Sequence, residues 1–331
     1  MAYQNIPVTD GYQVVQQIAN FASNVGWTVH RNSDQVDGPS THREVTLSFN
    51  GYPGYVTLAG YPGTGGIRLN GHRSFDNTKR WWEQPDQFLA YNGDGNYQDD
   101  YNEYTTRCFV ELRVTPILSV HLFGGNSPTP YLYAAVEKEP GYYRHLVIGH
   151  LQKFGTALGG LFWDVSSRET GNGYQTYYEQ HRAPFCYNMD SQTTDYKFRG
   201  GCDTQDSNGN PRFCVFSNNR PNTHLLGGQW TNELWSMHTG TPIQFNGRTG
   251  FLTPTVNVVA DTFHPFGSPP AFRYVNLEYF EAGDELVIGS ETWKVFPWAR
   301  RTPGVRTSAN PTYYGPEYEA TDKLGIAYLK D

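Results

Sequence analysis

The residues best equipped to do chemistry are ten histidines, four cysteines and a scatter of carboxylates. An acid, a base or a metal ligand works only where partners converge, so spacing is the first test. His145 and His150 lie on one predicted strand, Tyr142 to Gly149, and its exit, an odd number of residues apart. Side chains alternate faces along a strand, so these two point opposite ways and do not share an ion. The sequence holds no His-Glu-x-x-His pair, no Gly-x-Ser-x-Gly elbow and no Walker-type phosphate loop. Gly63-Thr64-Gly65-Gly66 follows Pro62 between two strand-like runs with no helix behind it, which is turn chemistry and not a nucleotide cradle.

Asp94, Asp99, Asp100 and Glu103 have the side chains of a glycosidase acid/base couple, but their polar neighbours supply no apolar pocket to drive two pKa values apart. A solvated acidic loop is expected there. Asp206-x-Asn208-x-Asn210 is loosely like a calcium loop, yet Pro211 stands where the tight-turn glycine belongs and no closing Glu follows. Cys108, Cys186, Cys202 and Cys214 form no Cys-x-x-Cys pair, so reduced thiols are expected. A Cys202–Cys214 bridge around the polar loop Asp203 to Pro211 is the alternative. The chain is therefore expected not to be an enzyme, with no catalytic, cofactor-binding or metal-binding residue.

The chain is rich instead in groups that make surfaces. Aromatic residues are 15% of the sequence, 24 of them Tyr, with 35 Gly, 21 Pro and only 17% charged residues. Tyrosine joins a large apolar body to a polar tip and has few torsions to freeze, which suits surfaces that exist both wet and buried. Trp81, Trp82, Tyr174, Tyr177 and Tyr178 are the candidate interface residues. The same rings can stack on sugars, which keeps a receptor- or glycan-binding module as the alternative function. A net charge of −7 argues against general nucleic-acid binding, which needs a basic face. The N-terminus lacks the cationic and apolar pattern of a signal peptide, and no apolar run is long enough to span a bilayer, so no membrane association is expected.

The elements that must carry these surfaces are mostly strands. One helix is predicted from Thr9 to Val25, with Tyr12, Val15, Ile18, Ala19, Ala22 and Val25 at helical spacing, Thr9 as cap and Gly26 as stop. Short strands follow at Trp27–His30, Val45–Phe49, Tyr55–Leu58 and Ile67–Leu69, then a long ordered loop or inter-sheet crossing from Asp76 to Glu103. Strand signals return at Thr106–Val114, Ile117–Phe123 and Tyr131–Glu137, and Pro140-Gly141 turns the last of these back into Tyr142–Gly149. Asp164 to Gly228 reads as an insertion with few regular elements. Val256–Val259, Phe272–Leu277, a Glu285–Ile288/Thr292–Phe296 hairpin and Gly325–Leu329 complete the pattern. The expected fold is mainly β (α+β): antiparallel sheets or a sandwich with one N-terminal helix and long ordered loops. Two regions are expected: 1–105, a helix plus small sheet that could dock, and 106–331, a β-rich main domain with the insertion at about 164–228.

The run Pro130-Tyr131-Leu132-Tyr133-Ala134-Ala135-Val136-Glu137-Lys138-Glu139-Pro140-Gly141-Tyr142-Tyr143-Arg144-His145-Leu146-Val147-Ile148-Gly149 resembles a stretch of tailed-bacteriophage virion structural proteins. The likeness continues through Leu151, Lys153, Gly155 and Gly159-Gly160, His181 to Phe185, Trp293 to Pro297 and Gly325 to Tyr328, and is weaker over 1–105. The resemblance implies a tail, baseplate, neck or head-to-tail connector component located in the virion and assembled in the bacterial cytoplasm. Its implied partners are copies of itself and other virion proteins, in a symmetric assembly. The family carries no catalytic residues to transfer.

Overall fold

A computed structural model describes residues 1–37, 40–63, 66–87, 109–112, 116–156, 158–166, 184–185, 201–205, 211–216, 225–226, 251–259, 263–277, 280–298 and 324–331. The protein is mainly β, with a single helix among the described residues and several largely antiparallel sheets. Strand β1 (Ala2–Pro7) leads into α1 (Gly11–Asn24). The strands β2 (Trp27–Asp37), β3 (Ser40–Phe49), β4 (Tyr55–Gly60), β5 (Ile67–His72) and β6 (Phe109–Leu112) then pair in chain order as a small antiparallel sheet.

The central sheet takes β1, β7 (Ser119–Gly125), β8 (Tyr131–Glu139), β9 (Tyr142–His150), β10 (Gln152–Lys153), β11 (Leu161–Val165), β12 (Gly201–Gln205), β13 (Pro211–Phe216) and β14 (Leu225–Leu226). A third sheet begins with β15 (Phe251–Leu252), while β16 (Val256–Val259) and β17 (Phe263–Ser268) return to the central one. The third sheet is completed by β18 (Phe272–Asn276), β19 (Glu285–Ile288), β20 (Glu291–Pro297) and β21 (Leu324–Leu329), in the order β15-β18-β21-β20-β19.

The helix starts one residue later than Thr9 suggests. Asp10 is the cap: its Oδ1 accepts from Gln13 N at 2.9 Å, while Gln13 Oε1 accepts from Thr9 N at 3.1 Å. A carboxylate reaches the orphan N–H groups of the first turn and favours their positive end. Gly26, at φ 89°, takes the left-handed position that closes the helix.

Strands β7 to β9 explain why their sequences read as almost unbroken apolar runs: both faces are covered. From β8, Leu132, Ala134 and Val136 point into a core shared with α1 and the small sheet. Tyr131, Tyr133 and Ala135 point into a second core shared with the third sheet. Along β8 aliphatic groups thus face one side of the central sheet and its tyrosine rings the other. On the first side Trp163 of β11 lies directly against Gly71 of β5, where any Cβ would fall inside the indole ring. Glycine is what lets the two sheets approach there.

The hairpin predicted around Pro140-Gly141 forms, Tyr131 facing Gly149 across it. Strands from either side of residue 105 share sheets, since β1 pairs with β7 in the central sheet and β6 completes the small one. The described part of the 164–228 insertion is regular: β12 and β13 form a hairpin that extends the central sheet, with Cys202 opposite Cys214. The Gly/Asn-rich run 206–210 lies outside the described residues. Strand β10 follows β9 after Leu151 and pairs with β17, which makes it the last strand of the central sheet.

Candidate assembly surface

The small sheet has one ordinary apolar face: Val45, Leu47, Val56, Leu58, Ile67 and Leu69 pack toward α1. Its other face is polar and also buried, with His42, Glu44, Thr46, Thr57, Asn70 and His72 all at 0% exposure. The cover is the segment 73–87 that carries the Trp81-Trp82 pair. Buried polar groups are costly unless each finds a partner, so the bonding between sheet and cover decides whether this face is viable.

Glu44 is the hub. Its carboxylate accepts from Arg31 Nη1 at 2.5 Å, His42 Nε2 at 3.0 Å and Trp81 N at 3.4 Å. Arg31 Nη2 donates onward to Asn77 O at 2.6 Å, which ties β2 to the cover. Beside this runs a one-way chain. Ser74 O accepts from His72 Nδ1 at 2.6 Å, which leaves Nε2 to accept from Thr57 Oγ1 at 2.8 Å, and Thr57 accepts in turn from Thr46 Oγ1 at 2.9 Å. Burial pushes the His72 pKa down to about 4, partly opposed by the Ser74 bond, so the ring is neutral at ordinary pH. Gln84 laces the cover to itself, donating to Lys79 O at 2.8 Å while accepting from Asp76 N at 2.9 Å.

The structure separates the two tryptophans. Trp81 is 1% exposed, its carbonyl accepting from Asn70 Nδ2 at 3.1 Å. It serves this subunit's own interior and offers no surface to a neighbour, which corrects its assignment as an interface residue. Trp82 stands edge-on to it, centroids 5.5 Å apart, and stays half-buried at the rim. One motif recurs here, a guanidinium over an aromatic ring, on the covered side of the sheet at Trp82 and Tyr61 and on the helix side at Tyr12. Arg80 Cζ lies 5.9 Å from the Trp82 centroid, Arg68 4.8 Å from Tyr61, and Arg43 5.1 Å from Tyr12. The pairs are held in place: Arg80 Nη2 donates to Val36 O at 2.7 Å, and Asp34 Oδ1 accepts from the Tyr12 hydroxyl at 2.7 Å and forms an ion pair with Arg43, whose Nε is 3.0 Å away. His42, stacked 4.7 Å from Tyr61, connects the rim to the buried hub.

All six of these arginines and rings are half-buried. Arginine, Trp and Tyr are the residues that dominate binding energy at protein interfaces, and here they are already fixed in orientation. Sequence inspection finds Trp82 and misses the arginines, because the partners lie between 2 and 31 positions apart and nothing local joins them.

Tyr174, Tyr177 and Tyr178 lie outside the described residues, as do Asp94, Asp99, Asp100 and Glu103. His145 and His150 do face opposite sides of β9: His145 meets Tyr328 of the third sheet, His150 meets Tyr52 of the small sheet. Among the described residues no group of three or more His, Cys, Asp or Glu could hold a metal ion. Nor, among them, is any helix long and apolar enough to cross a membrane. No protein-family model matches the chain, and no curated protein is similar to it.

Proposed function

We propose that this chain is a non-enzymatic structural subunit of a bacteriophage particle, placed in the tail, baseplate or neck and acting through contacts with copies of itself and other virion proteins. The observation that carries the assembly part is the set of oriented Arg–aromatic pairs at Trp82, Tyr61 and Tyr12. Its composition is that of an interface centre, and buried bonds to the sheet beneath hold it rigid, so little conformational entropy is lost on docking. The virion part rests on the sequence resemblance through Pro130–Gly149.

The test is immunogold electron microscopy of intact particles with an antibody to this chain, combined with incorporation of a Trp82→Ser/Arg80→Ser variant. A regular ring of label at the tail end, baseplate or neck, lost with the variant while the purified subunit stays folded, is the expected result. Label on fibres transfers the protein to the receptor- or glycan-binding reading. Absence of label overturns the virion assignment, and wild-type occupancy of the variant removes this patch as the interface.

A further inference from the structure

The central and third sheets stack face to face, and each ends in a strand whose outer edge is free among the described residues, β1 in one and β19 in the other. The two edges lie on the same side of the stack. Tyr3 of β1 sits beneath Lys294 of β20, the strand next to β19, with Nζ 5.4 Å from the ring centroid.

A free edge presents unpaired N–H and C=O groups that template pairing with another chain, and proteins commonly blunt it with lysine, proline or a bulge. Strand β19 has none of these. Its pairing with β20 runs in regular register, and its sequence is Glu-Leu-Val-Ile. Val287 is 67% exposed and Ile288 43% exposed. The other end of this sheet, β15, is only two residues long. Charge does not protect the edge either, because Glu285 lies 3.4 Å from Lys294 Nζ and 3.0 Å from Lys330 Nζ, which offsets it locally.

We propose that β19 pairs edge to edge with β19 of a second copy of this chain, antiparallel about a twofold axis at Val287. That operation sets Val287 against Val287 of the second copy and Leu286 against its Ile288. No like charges meet, the exposed apolar groups cover one another, and the third sheet runs on through both copies. The inference rests on the assembly reading above and names a second surface for it, distinct from the Arg–aromatic patch.

The full chain is examined by size-exclusion chromatography with light scattering, as wild type, as Val287→Lys/Ile288→Lys, and as Leu158→Lys, a control on an apolar group 63% exposed between β10 and β11. The expected result is a wild-type species of twice the 37.5 kDa chain mass, a weakening of self-association by about tenfold or more in the β19 variant, and no change in the control. Hydrogen exchange of wild-type amides 285–288 is read in parallel, and their protection should rise with protein concentration even if the variant fails to fold. A wild type that stays at the chain mass at about 100 μM, a β19 variant that dimerises like wild type, or amides indifferent to concentration each overturn the proposal. A chain that labels particles but does not pair through β19 sinks this inference alone, whereas one that pairs but labels no particle sinks only the virion reading.

Discussion

Acid should loosen the seam between the central and third sheets, and His145 is where the effect can be isolated. The ring is completely buried, with Nε2 donating to Pro297 O at 2.8 Å and Nδ1 accepting from the Tyr328 hydroxyl at 2.9 Å. Burial holds its pKa down at about 4, against the pull of the Pro297 bond and with a smaller push from Arg144, whereas the ordinary value is 6.5. The unfolded chain therefore takes up the proton first as pH falls. The stability tied to the neutral ring is complete above about pH 6.5, drains away between there and about pH 4, and falls no further below that. Linkage across that window makes the loss from His145 about 2 kcal/mol between neutral pH and about pH 5, a large share of the roughly 5–15 kcal/mol that holds an ordinary domain together. Urea unfolding of wild type and His145→Gln at the two pH values measures it, because the other histidines contribute equally to both proteins and cancel. The variant should lose about 2 kcal/mol less than wild type on acidification. Equal losses within about 0.5 kcal/mol would refute the reasoning. So would an NMR titration of wild type placing the folded His145 pKa near 6.5, a measurement that does not need the variant to fold.

Two further outcomes follow from the cores. Glu44→Gln should destabilise by about 3–5 kcal/mol because it leaves Arg31 buried beside a neutral group, while the Arg31→Met/Glu44→Gln double variant should cost clearly less than the sum of the singles; additive costs in urea unfolding would mean that the pair does not act as a unit. Gly71→Val should cost about 1–3 kcal/mol or prevent folding, because the new side chain occupies the place of the Trp163 ring, and adding Trp163→Ala should restore part of the loss; a Gly71→Val protein melting like wild type would show that the two sheets do not touch there.

Local pattern determined a good deal of this molecule. Apolar residues at helical spacing between a capping carboxylate and Gly26 specify α1, since a helix buries one stripe and its ends need particular partners. Pro140-Gly141 between two β-rich runs specifies the β8–β9 hairpin, because turn chemistry and strand propensity agree within some 20 residues. Pairing across longer separations was decided by the tertiary structure alone. Nothing local sends β1 to β7 more than a hundred positions away, or joins β12 and β13 to the central sheet through a composition that reads as loop. The candidate surface divides in the same way. Trp82 is conspicuous by type, but its neighbour Trp81 looks identical in sequence and belongs to the interior. The difference between them is whether Glu44 and Asn70, on β3 and β5, lie beneath the backbone to hold it down. Composition declares how much aromatic and arginine surface a chain owns; which part is spent inside and which is left at the rim depends on contacts between elements far apart along the chain, and those exist only once the sheets have packed.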